Sequence, residues 1–286
     1  TDFNNLAQLQ HIASVYQDEI QTMQSLAKGM DAMLSLGDVS RKDNIRIKAL
    51  LFSLQSDYNN NLKQQYDLQQ EIATLLQLNK NTWVLADAEQ SFSETDINGL
   101  SITALQDSAL QLRPDLAFAR NQSVFGQHNI AYQRALGKPD VTAGIEYDKL
   151  NSYTPNYYGL LLSVPLPIFN RNRGNIIAAE YAYKQSSTVV SELQLRVNNE
   201  VTAAWQKLSN TTKMMNNDNA QLQDNYNQLL KNMVDSYRQR QVSLIEFIDF
   251  FDAYKETRVK QGQLVTDQRN AAAELNYTTN QDIIKL

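Results

Sequence analysis

Glu246 and Asp249 stand three residues apart, so on a helix both carboxylates face the same side. At a helix start such acids complement the positive end of the helix dipole. Glu246 also closes the run Ser243-Leu244-Ile245-Glu246, in which a serine hydroxyl caps a new helix and the acid three positions on reaches back to the serine N–H. Ser40-Arg41-Lys42-Asp43 repeats the arrangement with a shorter acid of poorer reach. The two histidines, His11 and His128, are far apart, and neither has a second ligand at helical spacing, so no metal site is expected. There is no cysteine, hence no disulfide and no thiolate metal site. No Ser/His/Asp constellation, glycine-rich phosphate loop or metal motif is present, so neither catalysis nor a cofactor is expected. Trp83 and Trp205 read as packing residues.

The serine caps belong to a larger repeat. Val39-Ser40 and Val242-Ser243 lie 203 positions apart, and each interrupts a helical pattern that resumes beyond it. The chain therefore reads as two helical hairpins with related tips. Before the first tip, Leu6, Leu9, Ile12, Tyr16, Ile20, Met23, Met30, Met33 and Leu34 recur at steps of three, four and seven, the mark of an amphipathic helix with a narrow seam. Gly37 stands where a left-handed C-terminal cap is wanted. Beyond it, Ile47, Leu51, Leu54, Tyr58, Leu62, Tyr66, Ile72 and Leu76 form the stripe of a second helix. The two should pack antiparallel, with stretches such as Gln64-Gln65 and Gln69-Gln70 on the outer, polar faces.

The chain has 286 residues, only nine glycines, and all five prolines between Pro114 and Pro167, so both flanks are free of the strongest helix breaker. Charged residues make up 20%, low for a solvated coiled coil, and a net charge of −5 offers no basic stripe to nucleic acid. No run of about 18 apolar residues marks a transmembrane helix. From Asn79 to Leu112 the helical period lapses: Trp83-Val84-Leu85 and Ser91-Phe92-Ser93 suit short extended pieces, and Ile102 to Leu112 a short helix. Arg113-Pro114-Asp115-Leu116 opens a further helix ending near Gly137-Lys138-Pro139. Val141, Ala143, Ile145 and Tyr147 then alternate with Thr142, Gly144, Glu146 and Asp148, the period of a strand with one apolar face. A turn at 151–156 leads to a return strand with Leu160, Leu162, Val164 and Leu166 on one face, ending near Pro165 and Pro167, and Tyr153, Tyr157 and Tyr158 gather at the hairpin end. Each strand barely meets the length of about 9–11 residues that a membrane-spanning strand needs. From Gly174 to Tyr237 no breaker intervenes, which predicts one helix of roughly 64 residues, about 96 Å long.

Arg113-Pro114-Asp115-Leu116, Pro139-Asp140-Val141 and Ser163-Val164-Pro165-Leu166-Pro167-Ile168-Phe169-Asn170-Arg171-Asn172-Arg173-Gly174 resemble the second repeat of TolC-type outer-membrane efflux channels, with the closest likeness to the heavy-metal (cobalt–zinc–cadmium) cation efflux branch. The resemblance covers essentially the whole chain. It implies a mainly α fold of long antiparallel, coiled-coil-like helical hairpins with one inserted β-hairpin, the TolC-like outer membrane factor fold. In that family three subunits each give four strands to one barrel and long helices to a periplasmic tunnel. On this reading residues 1–79 are the helical hairpin of repeat one, with its tip near 37–43, and 80–112 an irregular equatorial segment. Residues 113–139 are a helix, 140–168 the β-hairpin of the outer-membrane barrel, and 169–286 the long helical hairpin of repeat two, with its tip near 238–246. The chain starts at Thr1 inside a helical pattern, so the resemblance also implies an N-terminally truncated fragment. It would lack the first strand pair and about 28 residues of the helix before Gly37. One departure is Arg240, where the family often has glycine.

Carried onto this sequence, the resemblance places Gly37, Val39, Ser40, Val242 and Ser243 where a periplasmic adaptor (membrane fusion) protein docks, helix end to helix end. Glu246 and Asp249 match two acids at the narrow periplasmic gate, where threefold symmetry would gather their carboxylates into a ring favouring cations. The implied protein is a non-enzymatic outer-membrane channel subunit of a tripartite efflux system, homotrimeric when full length. Its partners are the adaptor, an inner-membrane pump and outer-membrane lipid, its setting is a Gram-negative-type envelope, and its cargo by the family branch is metal cations. With one strand pair the chain alone should not close a barrel, and it is expected to be soluble and mostly monomeric, or to associate through its helices. The rival readings are other non-enzymatic coiled-coil proteins. A periplasmic adaptor would need flanking domains rich in short strands and glycine, and a flagellin-type filament subunit a large β-rich middle, against a β-segment of about 28 residues here.

Overall fold

A computed structural model describes residues 1–79, 82–86, 97, 99–150, 152–166, 171–216 and 219–285. In chain order the elements are α1 (Asp2–Ser35), α2 (Arg41–Leu75), α3 (Ile102–Leu112), α4 (Pro114–Leu136), β1 (Thr142–Asp148), β2 (Tyr157–Ser163), α5 (Arg173–Asn216), α6 (Asn219–Arg238) and α7 (Leu244–Thr279). The fold is mainly α, with one two-stranded antiparallel hairpin among the described residues. The single helix expected from 174 to 237 is described as α5 and α6, and its course at 217–218 lies outside the described residues, as does Ser91-Phe92-Ser93. No helix among the described residues is long and apolar enough to cross a membrane. The chain divides into two compact units, one of residues 1–102 with 202–286 and one of residues 103–201.

In the first unit, α1 and α2 run antiparallel. Their contacts descend in register: Asp31 Oδ1 accepts from Asn44 Nδ2 at 2.9 Å, Tyr58 Oη accepts from Gln17 Nε2 at 2.6 Å, and Leu9 O accepts from Gln65 Nε2 at 3.1 Å. α7 runs antiparallel to α1 as well, with Asn4 on Asn270 at 3.0 Å and Gln8 on Gln263 at 2.7 Å. The core joins both hairpins: Met23, Leu26 and Met30 of α1, Ile47 and Leu54 of α2, Leu230 and Val234 of α6, and Phe247, Phe251 and Tyr254 of α7. Tyr237 stacks on Phe247 at 5.1 Å between ring centres. The α2 stripe departs from expectation. Tyr66 is 54% and Leu76 63% exposed, while Asn61, Gln65 and Gln69 are buried. Gln65 and Gln69 thus do not sit on an outer polar face. Gln65 donates to Asn61 Oδ1 and Leu9 O, and Gln69 takes both the N–H and the C=O of Val84, at 2.9 and 2.6 Å. The expected extended piece around Trp83 is therefore held by a side-chain amide rather than paired as a strand, and Trp83 sets its edge against Tyr66 at 5.7 Å.

In the second unit, α4 and the first part of α5 pack antiparallel. Asn172 donates to Gln133 O at 2.9 Å, Arg134 pairs with Glu180 at 2.7 Å, and Arg113 pairs with Glu200. Gly126 permits this approach, because a Cβ there would sit 3.3 Å from the Tyr183 Cα. Pro114 opens α4 in its first turn, where its missing N–H would have had no helical partner. In the β-ribbon, Ala143, Ile145 and Tyr147 pair with Leu162, Leu160 and Tyr158, so these six residues share one face, with Leu161 on the other. The Tyr147 and Tyr158 rings meet at 4.8 Å, tilted by 35°, Tyr147 donates to Asn156 Oδ1 at 3.0 Å, and Tyr157 lies on the opposite face. Each strand is seven residues long, shorter than expected. β2 stops at Ser163, before Pro165, which has no N–H to give to a ladder.

Candidate functional site

Both hairpin tips in the first unit reverse through the same backbone. At the end of α1, Gly37 N–H bonds Leu34 O at 3.1 Å and Asp38 N–H bonds Met33 O at 2.9 Å, with Gly37 at φ 79°. At the end of α6, Arg240 N–H bonds Tyr237 O at 3.0 Å and Gln241 N–H bonds Ser236 O at 2.8 Å, with Arg240 at φ 61°. This is the doubly bonded left-handed helix end. Gly37 and Arg240 stand the same 203 positions apart as the two Val-Ser pairs. Arginine at 240 therefore leaves the turn intact, at a conformational cost of roughly 1 kcal/mol relative to glycine. Its guanidinium donates to Asp38 O at 3.0 Å and lies 3.5 Å from Asp38 Oδ1, fastening the second tip to the first.

Beyond each turn a serine in extended conformation starts the next helix. Ser40 accepts the Asp43 N–H at 3.1 Å, and Ser243 accepts the Glu246 N–H at 3.3 Å. The second cap is a complete capping box, because Ser243 N–H donates to Glu246 Oε2 at 2.7 Å. The Asp43 carboxylate instead takes the Ser40 hydroxyl, at 2.7 Å. Bonds from the Ser243 backbone, then its hydroxyl, hold the Glu246 carboxyl below its ordinary range. Glu246 and Asp249 are both exposed on α7, whereas Phe247 and Phe251 are buried. The two acids thus project away from the core.

Gly37, Ser40 and Ser243 are exposed, and Val39 and Val242 half-buried. The two valines join Met30, Met33, Tyr237 and Leu244 in lining a cleft of ≈ 410 Å³ where the tips meet, with Asp38, Asp43, Arg238 and Arg240 among its polar walls. His11 and His128 are both exposed and belong to different units. Partial desolvation, then the charge of Arg258, hold His11 below its ordinary range. Among the described residues, no group of three or more His, Cys, Asp or Glu side chains is placed to hold a metal ion.

Sequence reasoning missed two groups. The link from Arg240 to Asp38 joins residues 202 positions apart, and only the shared offset of the tips hints at it. Glu19 is 2% exposed, and neither carboxylate oxygen has a partner. Burial pushes its carboxyl up to about 7, although Lys255 and Arg258 pull the other way, and Lys255 is shared with Asp57 at 3.1 Å. The available signal was spacing, since Glu19 falls seven residues after Ile12 and seven before Leu26.

No family profile and no curated protein matches the sequence. Solved structures do. The outer-membrane channel OprN matches with a TM-score of 0.79 at 12% identity, over 99% of this chain and 65% of that one. CusC, solved in a study of folding and transmembrane channel formation, matches with 0.76 at 18%, over 97% of this chain and 66% of that one. The Campylobacter jejuni CmeC outer membrane channel matches with 0.76 at 14%, over 97% and 60%. The chain therefore spans 60–66% of the length of these three structures. At such identities the likeness is one of architecture: long helical hairpins with one inserted β-ribbon, which is the TolC-like outer membrane factor fold.

Proposed function

We propose that this chain is part of an outer-membrane channel subunit of a tripartite efflux system, conducting substrate passively from periplasm to exterior. The observation that carries the reading is the one-sided ribbon. Ile145, Leu160 and Leu162 are 83%, 90% and 71% exposed on one face, while Thr142, Gly144, Glu146, Gly159 and Ser163 occupy the other together with Leu161. A band of apolar side chains backed by small and polar ones is the pattern of a barrel strand facing lipid on one side and a lumen on the other. A lone ribbon has two open edges, which lipid does not tolerate, so further strands must complete it. Three subunits of four strands each meet that need. The fold shared with OprN and CmeC, both outer-membrane channels, supports the same reading.

In this proposal 140–168 is the barrel hairpin, and 1–79 and 169–286 are periplasmic hairpins whose tips meet an adaptor linked to an inner-membrane pump. Gly37, Val39, Ser40, Val242 and Ser243 form the docking surface, where the half-buried valines offer apolar contact beside the inter-tip cleft. Glu246 and Asp249 line the gate, and Glu246 serves the capping box as well. Metal cations are the proposed cargo, on the residue likeness around Arg113, Pro139 and Ser163–Gly174. These 286 residues hold no cysteine, so Val242→Cys adds one attachment point to them. Fractionation should place the protein in the outer membrane, with the Val242→Cys variant crosslinking to an adaptor and purified channels passing cations in planar bilayers. Glu246→Gln with Asp249→Asn should lower the cation preference. Absence from the outer-membrane fraction sinks the proposal.

A further inference from the structure

We infer that Glu19 makes the contact between α1 and α7 proton-controlled: seated while its carboxyl is protonated, and parted by water once the carboxyl ionises. The side chain is 2% exposed, and neither carboxylate oxygen has a hydrogen-bond partner. The groups around it are Tyr16 and Asp18 on α1 itself, Asp57 on α2, and Tyr254, Lys255 and Arg258 on α7. Both cations of α7 face the carboxyl, yet neither bonds it. Lys255 Nζ is engaged with Asp57 Oδ2 at 3.1 Å, and Arg258 Nε is itself buried without a partner. A neutral carboxyl is tolerated in such a place far better than a charged one, which must be paired or hydrated. Burial accordingly lifts its proton affinity to about 7, so the charge arrives within the ordinary pH range.

Where the seam yields follows from what flanks Glu19. Toward the start of α1, Asn4 and Asn5 bond Asn270, Gln8 bonds Gln263, and Gly262 lies against Ile12, where an added Cβ would stand 3.7 Å away. Toward the tips, Met23, Leu26 and Met30 share a core with Phe247 and Phe251. Between these two fastenings runs the stretch 254–261 of α7. It already buries Arg258 Nε and both polar atoms of the Gln261 amide without partners. Water entering there would satisfy these atoms together with the ionised Glu19, so one parting relieves several unmet groups. The adjoining cleft of ≈ 440 Å³, lined by Arg258 and Gln261, brings solvent to the same stretch. The device belongs to the helix seam and does not depend on the channel reading.

The test is a pair of spin-label distances in the full 286-residue chain, whose lack of cysteine confines labels to the positions chosen. Gln21→Cys with Ala253→Cys, both exposed, reports across the α1–α7 seam, and Gln21→Cys with Gln55→Cys, also exposed, reports α1 against α2. By double electron–electron resonance the first distance should lengthen between pH 5 and pH 8 by about 3 Å, the breadth of one water layer. The second should hold, and Glu19→Gln should keep the first at its pH 5 value throughout. An α1–α7 distance that ignores pH overturns the inference, since Arg258 would then have closed on Glu19 inside a fixed seam. A lengthening that persists in Glu19→Gln overturns it as well, and so does an equal change in both pairs, the sign of general loosening. Should Glu19→Gln fail to fold by circular dichroism, Glu19→Met supplies the uncharged side chain under the same criteria.

Discussion

Replacing Glu19 by glutamine keeps the side chain's shape and removes its charge from the seam between the hairpins. In the folded chain that carboxyl faces Tyr16 and Asp18 on α1, Asp57 on α2, and Tyr254, Lys255 and Arg258 on α7. Desolvation outweighs the two cations and raises its proton affinity from the ordinary 4.5 to about 7. The folded state then holds a proton that the unfolded chain gives up. Stability must therefore fall as pH rises, beginning near 4.5 and levelling off above about 7. A rise of about 2.5 units at 1.36 kcal/mol each amounts to about 3 kcal/mol. Urea unfolding of the wild type and Glu19→Gln at pH 5, 6, 7 and 8 isolates this effect, because every other titration is common to both proteins. The two should be close in stability near pH 5, and the wild type should fall behind by most of that amount at pH 8. A gap that stays constant across the range, or a wild type that gains on the variant with rising pH, refutes the reasoning.

Gly37→Ala should cost about 1 kcal/mol in the same unfolding assay, since alanine is strained at positive φ. Arg240→Gly should change stability by less than about 1 kcal/mol: it relieves a strain of similar size and loses an exposed ion pair with Asp38 and an exposed hydrogen bond to Asp38 O. Equal losses from both changes would contradict the equivalence of the two turns. Arg113→Met should loosen the 103–201 unit by about 1–3 kcal/mol, because Arg113 bonds Asp115 and Glu200 together. Faster amide exchange in the first turn of α4 is the readout. Arg113 also holds the Asp115 carboxyl below its ordinary range, so stabilisation that is present at neutral pH and lost on acidification should vanish in the variant.

The helix ends were legible because each carries its own chemistry within four residues. Gly37 supplies the left-handed turn, Ser40 and Ser243 the caps, and Pro114 the first turn of α4. Arg240 obeys the same geometry without the residue type that announces it. The ribbon was legible from its period of two, which the register reproduces pair by pair from Ala143 and Leu162 to Tyr147 and Tyr158. Its length was not, since where a ladder ends depends on the partner strand. The inner face of α2 was legible only near the tip, at Ile47 and Leu54. Farther along, the seven-residue spacing continues to Asn61, and the buried amides of Gln65 and Gln69 find their partners at Leu9 and Val84. Those partners lie 56 and 15 residues away, where no local pattern reaches.

Glu19 shows why residue type is the weaker guide along such a seam. Ile12, Glu19 and Leu26 form one seven-residue series on α1, and Tyr16, Met23 and Met30 form its companion. Turning Glu19 to solvent by one position means rotating α1 through about 100°. That rotation would carry Met23, Leu26 and Met30, all buried, out of the core they share with Phe247 and Phe251. Three such side chains are worth about 1.5–3 kcal/mol each on burial, so the rotation would cost well over the roughly 3 kcal/mol that a buried carboxyl forfeits at high pH. At low pH it forfeits less still, since a proton removes the charge. The heptad wins, and the acid is carried inward by its neighbours.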